Sequence, residues 1–293
     1  MKPTVGEKWF YSFNYLILAL LGITCLFPLI NTIAVSFSDT HAIASGKVTL
    51  YPIGWNIEAY TSLIKGTRIL SAMQNSIIIT IVGVAFSMTV TIMTAYPISR
   101  GIFYGRRFFT LAMVFTMLFS GGLIPTYLVV KSLGLMNSYF ALWLPALIST
   151  YNLLVMRTFF ENIPSEVDDA ARIDGCSEMA YLMRIVLPLS MPVIATITLF
   201  YSVSYWNMFM NVLIYINNTS KFNMTVLIQK MIQSQNLLQE LVNSGATSGV
   251  TVDVVPESLK AAGVLIMVLP MLLVYPFLQK YFVKGVMLGS VKG

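Results

Sequence analysis

Charged residues are scarce in this 293-residue chain. Asp, Glu, Lys and Arg together make up 10% of it, whereas hydrophobic residues make up 57%, and soluble globular domains carry charge at about 25% of their positions. Histidine occurs once and cysteine twice, which is too few for a disulfide framework or for a metal site built from those ligands. We therefore expect no metal site, and we expect much of the chain to lie in lipid.

Six segments contain no Asp, Glu, Lys or Arg at all. A helix needs roughly 20 mostly apolar residues to cross a bilayer, and continuous apolar runs of this kind are not typical of barrel strands. The sequence therefore predicts an all-α integral membrane protein with six transmembrane helices in a single domain, residues 1–293. The segments are Trp9–Ser38, Ile69–Ser99, Phe108–Val130, Ser132–Met156, Ile185–Ser220 and Ala261–Gln279.

Basic residues predict the orientation of these spans. Cytoplasmic loops are enriched in Lys and Arg, and the densest basic cluster, Arg100 to Arg107, lies in the loop after the second span. This favours cytoplasmic N- and C-termini, with residues 157–185 inside and residues 39–68 and 217–260 outside. The net charge of +6 is then a topology signal, and no nucleic-acid partner is expected.

The second external segment has two parts. Apolar residues at helical spacing over Met224–Val242 predict an amphipathic helix that lies on the outer surface or over the bundle. A loop of small residues follows, and it is either a plain connector or a finger that touches an external partner. The loop residues are Asn243, Ser244, Gly245, Ala246, Thr247, Ser248 and Gly249.

Charge is concentrated in the segment between the fourth and fifth spans. Pro164 and Ser165 predict the start of a helix, Asp168 is placed for a capping box, and Gly175 predicts its end. A helix of about two to three turns is unstable by itself in water, so it must pack against something.

One face of this short helix is predicted to carry small residues. Val167, Ala170, Ala171 and Asp174 have the spacing of residues that share a face, and alanine allows another surface to approach closely. We interpret the segment as a docking element for a partner protein. The alternative is that it merely covers the inner face of the bundle.

The same segment carries a family resemblance. It resembles the EAA loop of ABC importer permeases, whose pattern is Glu-Ala-Ala-x3-Gly-x9-Ile-x-Leu-Pro. In this chain the pattern is Asp169-Ala170-Ala171, three residues, Gly175, nine residues and then Ile185-x-Leu187-Pro188, with Asp in place of the leading Glu. Nearly the whole chain is similar to carbohydrate-type permeases of this family, in particular to the YtcP-like and LplB-like branch and to the second permease of an alginate importer. Motifs that carry the similarity are Phe119–Pro125, Leu133–Leu135, Tyr151–Arg157 and Lys280–Gly293.

This resemblance implies a type I ABC importer permease fold in a bacterial cytoplasmic membrane. It implies a pore shared with a second, related permease, two ATPase subunits that hold ATP and Mg, and an extracytoplasmic solute-binding protein that contacts the loop from Asn243 to Gly249. Oligosaccharides or polysaccharide fragments, including uronate-rich ones, would be the substrate. The residues expected to couple to the ATPase are Pro164, Glu166, Asp168, Asp169, Ala170, Ala171, Asp174 and Gly175.

The chain itself offers no source of energy. It lacks the Gly-x4-Gly-Lys-Ser/Thr phosphate loop, since the nearest stretch, Gly46–Thr49, has the wrong spacing. An intramembrane enzyme would need a nucleophile–base pair or a metal cluster, and the spans contain neither. A secondary carrier or channel for small polar solutes stays open as the alternative, although the absence of acidic residues in the spans counts against it.

Polar residues in the fifth span mark a candidate substrate pathway. Polar side chains inside spans usually face a pore or a partner helix, and aromatic rings with amides suit the two kinds of surface that a sugar presents. The alternative is hydrogen bonding between helices. The pathway residues are Tyr205, Trp206, Asn207 and Asn211. In the third span, Gly121, Gly122 and Pro125 predict a break or bend.

Overall fold

The structure is a computed structural model that describes residues 4–243 and 257–290. Every regular element in these residues is helical, which confirms the all-α prediction. In chain order the helices are α1 (Val5–Ser36), α2 (Thr40–Ala44), α3 (Glu58–Gly66), α4 (Ile69–Ser99), α5 (Arg106–Leu118), α6 (Leu123–Ser132), α7 (Phe140–Trp143), α8 (Thr150–Glu161), α9 (Ser165–Ile173), α10 (Glu178–Tyr181), α11 (Leu187–Leu189), α12 (Met191–Trp206), α13 (Met210–Tyr215), α14 (Met224–Asn243) and α15 (Glu257–Ser290).

Three helices in the described residues are long and apolar enough to cross a membrane, namely Gly6–Ser36, Ile69–Ser99 and Glu257–Val274. Two pairs of consecutive helices pass the same test only jointly. They are α5 with α6, bent by 114°, and Glu178–Leu189 with Met191–Trp206, bent by 80°. If each bent pair is one span, the described residues contain up to five, so the count of six remains a prediction.

The bend in the third predicted span lies where its glycines predict it. α5 ends at Leu118 and α6 begins at Leu123. Gly122 has a φ of +83°, which residues with a side chain rarely adopt. The prediction that Gly121, Gly122 and Pro125 bend the chain is therefore confirmed.

The fourth predicted span, Ser132–Met156, is not a continuous helix. The chain leaves α6 through Gly134 and Asn137, which have φ values of +68° and +60°. Pro145 then follows α7 and has no N–H to continue helical hydrogen bonding. Ser149 caps the next helix by accepting a hydrogen bond from the backbone N–H of Asn152. Hydropathy alone missed these breaks because the residues between them are apolar.

The fifth predicted span, Ile185–Ser220, also differs from one straight helix. A π-helical turn at Leu182–Val186 precedes it, and the 80° bend lies at Ser190, between Pro188 and Pro192. Its long helix, α12, already ends at Trp206. The two prolines remove backbone donors on both sides of the bend, which explains why the helix changes direction there.

The described residues form two compact units, one drawn from residues 4–69, 228–243 and 257–269 and one from residues 70–227 and 270–290. In the first, aromatic contacts hold the segment after α1. The Phe37 ring lies 5.0 Å from that of Tyr60 and 5.7 Å from that of Trp55, centroid to centroid, and the Tyr60 hydroxyl donates a hydrogen bond to Ser36 Oγ at 2.9 Å.

The core of the second unit brings together α4, α7, α8 and α12. Apolar side chains from all four helices are fully buried there, among them Ile79, Leu142, Leu153, Met156 and Ile197. The indole N–H of Trp143 donates to the backbone oxygen of Ile79 at 3.0 Å, so the broken fourth segment is fastened to α4. This core positions both of the candidate sites described next.

Candidate functional site

The short charged helix α9 forms as predicted and ends in a Schellman motif. Gly175 has a φ of +70°, and its N–H donates to the backbone oxygen of Arg172 at 3.1 Å. The N–H of Cys176 donates to the oxygen of Ala171 at 2.9 Å. These are the two hydrogen bonds of that motif, so Gly175 closes the helix and starts the turn toward α10.

The predicted capping box at the start of α9 is wrong. Pro164 occupies the cap position without a side-chain hydrogen bond, and Ser165 is the first helical residue. Asp168 does not reach back to the start of the helix because its carboxylate binds arginine side chains instead.

The two alanines of α9 differ in burial. Ala171 is only 6% exposed and packs in the core, whereas Ala170 is exposed. Val167, Ala170, Ala171 and Asp174 have the spacing of one helix face, and residues 165–173 are helical as predicted. The core covers this face at Ala171 and leaves it exposed at Ala170, so the two alanines are not equally available to a partner. The exposed residues of α9 and its C-cap include Glu166, Asp169, Ala170, Arg172, Ile173 and Asp174.

Arg100, which directly follows α4, is the residue that holds the inner side of α9. Its Nη2 atom lies 2.5 Å from Asp168 Oδ1 and 3.7 Å from Glu178 Oε1. Asp168 also pairs with Arg172, at 3.4 Å, and the Tyr96 hydroxyl donates to Glu178 Oε2 at 2.5 Å. The network thus joins the end of α4 to α9 and to the start of α10.

Aromatic rings complete the surroundings of Arg100. The guanidinium carbon lies 5.0 Å from the ring centroid of Tyr181 and 5.6 Å from that of Tyr96, within the range of cation–π attraction. Burial acts to lower the pKa of Arg100, but the hydrogen bond to Asp168 and the nearby charges outweigh it, so its pKa lies above the ordinary value. The group stays charged and the ion pair is maintained.

A cavity of about 300 Å³ opens beside this network, lined by residues of α4, α9 and the turn between α8 and α9, including Arg100 and Asp168. Sequence reasoning assigned Asp168 to the site but treated Arg100 only as a topology signal, and it missed Tyr96. The only available signal for Arg100 is its position, as the first charge after a 31-residue helix without any.

A second cavity, of about 450 Å³, lies between α8 and α12. Tyr205, one of the four predicted pathway residues, lines this cavity but is almost fully buried. Trp206, Asn207 and Asn211 are not among the lining residues. Trp206 is buried, and the Asn207 amide donates back to the oxygen of Val203 at 3.0 Å, so the structure brings only one of the four predicted pathway residues to this cavity.

Other residues supply the accessible wall of this cavity. Tyr151 and Phe200 are exposed and their ring centroids lie 6.3 Å apart, with Ser204 exposed beside them. Tyr201 lies at its base and is 3% exposed. Sequence reasoning missed Tyr151 as a lining residue of this cavity because the break before α8, which turns this residue toward α12, has no hydropathy signal.

The predicted loop for an external partner falls mainly outside the described residues. α14 extends over Met224–Asn243, which confirms the predicted helix, and Asn243 is its last residue. Residues 244–249 lie outside the described part of the chain.

The chain is similar to known proteins over its full length. Residues 98–288 match the family described as binding-protein-dependent transport system inner membrane component. The polygalacturonan/rhamnogalacturonan transport system permease protein YtcP of Bacillus subtilis (strain 168) is 41% identical over 294 residues, which cover 100% of both chains. Protein LplC of the same organism is 42% identical over 296 residues, covering 100% of this chain and 98% of LplC.

A solved structure is also similar. A chain in the crystal structure of a bacterial ABC transporter involved in the import of the acidic polysaccharide alginate superimposes with a TM-score of 0.85 at 28% sequence identity. The match covers 96% of this chain and 99% of that one.

Proposed function

The chain belongs to the family of binding-protein-dependent transport system inner membrane components, and from this premise we propose that it forms half of the pore of an ATP-driven saccharide importer and couples to a separate ATPase through α9. Its membership confirms the resemblance to the YtcP-like ABC permeases, and as a sugar ABC transporter permease it is a transport subunit of the inner membrane. The coupling, the substrate and the partners are the proposal.

The observation that carries the coupling proposal is the two-sided environment of α9. Its inner side is held by the buried Ala171 and by the ion pair from Asp168 to Arg100, so the helix can transmit a push to α4. Its outer side leaves Ala170 exposed between acidic residues, with Ile173 86% exposed. A small residue flanked by acids and an exposed isoleucine suits a partner cleft that combines apolar and basic groups.

The partners of the proposed importer are a second, related permease, two ATPase subunits that bind ATP and Mg, and an extracytoplasmic solute-binding protein. With cytoplasmic termini and six spans, α9 would face the ATPases, and the loop from Asn243 to Gly249 would face the binding protein. The chain itself would bind no cofactor, and all chemistry on ATP would belong to the ATPase.

The substrate we propose is an oligosaccharide derived from an acidic polysaccharide. The names of YtcP and of the alginate transporter describe transport of such polymers. The cavity between α8 and α12 offers rings for the C–H faces of a sugar and a hydroxyl for its OH groups, while none of the described residues that line it is charged. The carboxylates of the substrate would therefore be recognised outside this cavity, in the second permease or in the binding protein.

Reconstitution tests the proposed function directly. A tag on this chain is expected to purify an ATPase and a second permease with it, and proteoliposomes of that complex should take up di- to tetragalacturonate only with internal ATP and external binding protein. Saccharide uptake by this chain alone, without ATP, would instead support a secondary carrier.

Tyr151 tests the role of the cavity. We expect Tyr151→Ala to lower ATP-driven uptake about five- to tenfold, because an aromatic contact contributes about 1 kcal/mol beyond its buried area. Tyr151→Phe keeps the ring and should retain most of the uptake. Tyr104→Ala, which removes a fully exposed ring elsewhere, is the matched control, and an equal loss in both alanine variants would contradict the proposed pathway.

A further inference from the structure

One face of α4 carries three small residues at intervals of four, Gly83, Ser87 and Thr91. Residues four apart lie on the same side of a helix, and the side chains of Ser87 and Thr91 are completely buried. They face Tyr205 and Tyr201 of α12, which are themselves four residues apart. At the interface between the two helices, small residues of α4 therefore pack against tyrosines of α12.

The tyrosine hydroxyls are fully engaged within the protein. The Tyr205 hydroxyl lies 2.8 Å from Ser87 Oγ and donates to the backbone oxygen of Ala146 at 3.3 Å. Because a carbonyl oxygen can only accept, the proton of Tyr205 points to Ala146, and the Ser87 hydroxyl must donate to Tyr205.

Tyr201 makes a second contact with α4, one helical turn away from the first. The Tyr201 hydroxyl lies 2.8 Å from Thr91 Oγ1 and accepts from the backbone N–H of Ser149 at 3.0 Å. Both tyrosines thus tie α4 to the irregular segment between α7 and α8. That segment also contributes Ala146 and Ser149 to the wall of the cavity between α8 and α12.

Gly83 is required by the close approach of the Tyr205 ring. A Cβ atom at this position would lie 2.8, 2.8 and 2.9 Å from Cε1, Cζ and Cε2 of that ring. Nearly equal distances to three ring atoms place the added carbon over the face of the ring, and contacts below 3.0 Å are too short for carbon atoms. Any side chain here would push Tyr205 away from α4 and toward the cavity.

We propose that Gly83, Ser87 and Thr91 are positioning residues that set the depth of the saccharide cavity. They hold Tyr205 and Tyr201 as its floor, with 2% and 3% of these residues exposed, while the accessible wall is left to residues of α8 and α12. The size of saccharide that passes is then decided by a helix that does not touch the saccharide. This inference rests on the proposed function, since it assumes that the cavity carries the substrate.

Selectivity for saccharide length tests the proposal in the reconstituted complex. Gly83→Ala raises the floor, so at saturating concentrations the uptake of tetragalacturonate should fall about tenfold relative to digalacturonate, as one added methylene in a pocket typically changes discrimination by tenfold or more. Gly22→Ala, which adds a methyl group where no atom lies within 4 Å, should leave the ratio unchanged. An equal fall for both saccharides in Gly83→Ala would overturn the proposal.

A second measurement needs no saccharide and so separates this proposal from the proposed function. In a background with Cys25→Ala and Cys176→Ala, Ser204→Cys places a thiol on the cavity wall, and its modification by a methanethiosulfonate reagent reports access. Gly83→Ala should slow modification of this thiol. Ser87→Ala introduces no bulk and releases Tyr205, so it should also change the modification rate, and it serves as the test if Gly83→Ala does not fold. Unchanged modification rates in the folded variants would overturn the proposal that α4 sets the depth of the cavity. Failure of ATP-driven uptake in the unaltered complex would count against the proposed function alone.

Discussion

Ala170→Trp is expected to separate ATP hydrolysis from transport. Ala170 is exposed on the outer face of α9, so the variant should insert, fold and pair with the second permease normally. A large ring there would prevent close approach of the proposed ATPase cleft. We expect ATP-driven uptake to fall at least about tenfold, equivalent to a loss of about 1.4 kcal/mol, with less ATPase co-purified.

Two further tryptophan variants are needed to interpret the result for Ala170→Trp. Ala171→Trp introduces the same ring one position later, but into the core, since Ala171 is 6% exposed. It should lower the amount of folded protein, because overpacking a core costs about 1–3 kcal/mol or more. Ala44→Trp, at an exposed alanine of α2, is the control for an added surface tryptophan. Full uptake and normal ATPase content in Ala170→Trp would contradict docking through this face.

The second large effect is expected at Arg100. Arg100→Ala removes the ion pair with Asp168 and the stacking on Tyr181, so α9 loses its ion pair to the end of α4. Hydrogen bonds to charged groups contribute about 1.5–3 kcal/mol. Losing one lowers the ratio of molecules with α9 in place to molecules with α9 displaced by roughly 10- to 100-fold. We expect ATP hydrolysis to continue while uptake per ATP falls by a similar factor.

Arg100→Lys and Arg157→Ala sharpen this test. Lysine keeps the charge but lacks the planar guanidinium, so Arg100→Lys should restore uptake only partly. Arg157 pairs with Glu161 at 2.8 Å within α8 and is about as buried as Arg100, yet this pair does not join α9 to α4. Arg157→Ala should therefore leave the ratio of uptake to hydrolysis near normal, and an equal drop in both alanine variants would show that Arg100 has no special positioning role.

Elements whose signals lie within a few residues could be predicted from the sequence. The long apolar helices α1, α4 and α15 follow from hydropathy, and α9 follows from the proline before it and from Gly175 at its end. The bend after Gly122 belongs to the same class, since a glycine there permits a positive φ. The breaks around Asn137 and Pro145 have no hydropathy signal, because the residues between them are mostly apolar.

Contacts between distant residues could not be predicted in this way. Arg100 and Asp168 are separated by 68 residues, and Ser87 and Tyr205 by 118. The position of Arg100 as the first charge after α4 does not indicate which acidic residue it pairs with, and nothing local distinguishes Ser87 from other serines in spans. Tyr151 likewise lines the cavity only because α8 packs against α12.

The sequence by itself determined that this chain is a helical membrane protein, which family it resembles and where its short charged helix begins and ends. Those properties depend on composition and on neighbours along the chain. Only the tertiary structure decided that Ala171 is buried while Ala170 is free to meet a partner, and that Tyr205 forms the floor of a cavity whose open wall is Tyr151. Burial depends on which residues of other helices pack against a side chain, and that packing is set by contacts between residues far apart in the sequence.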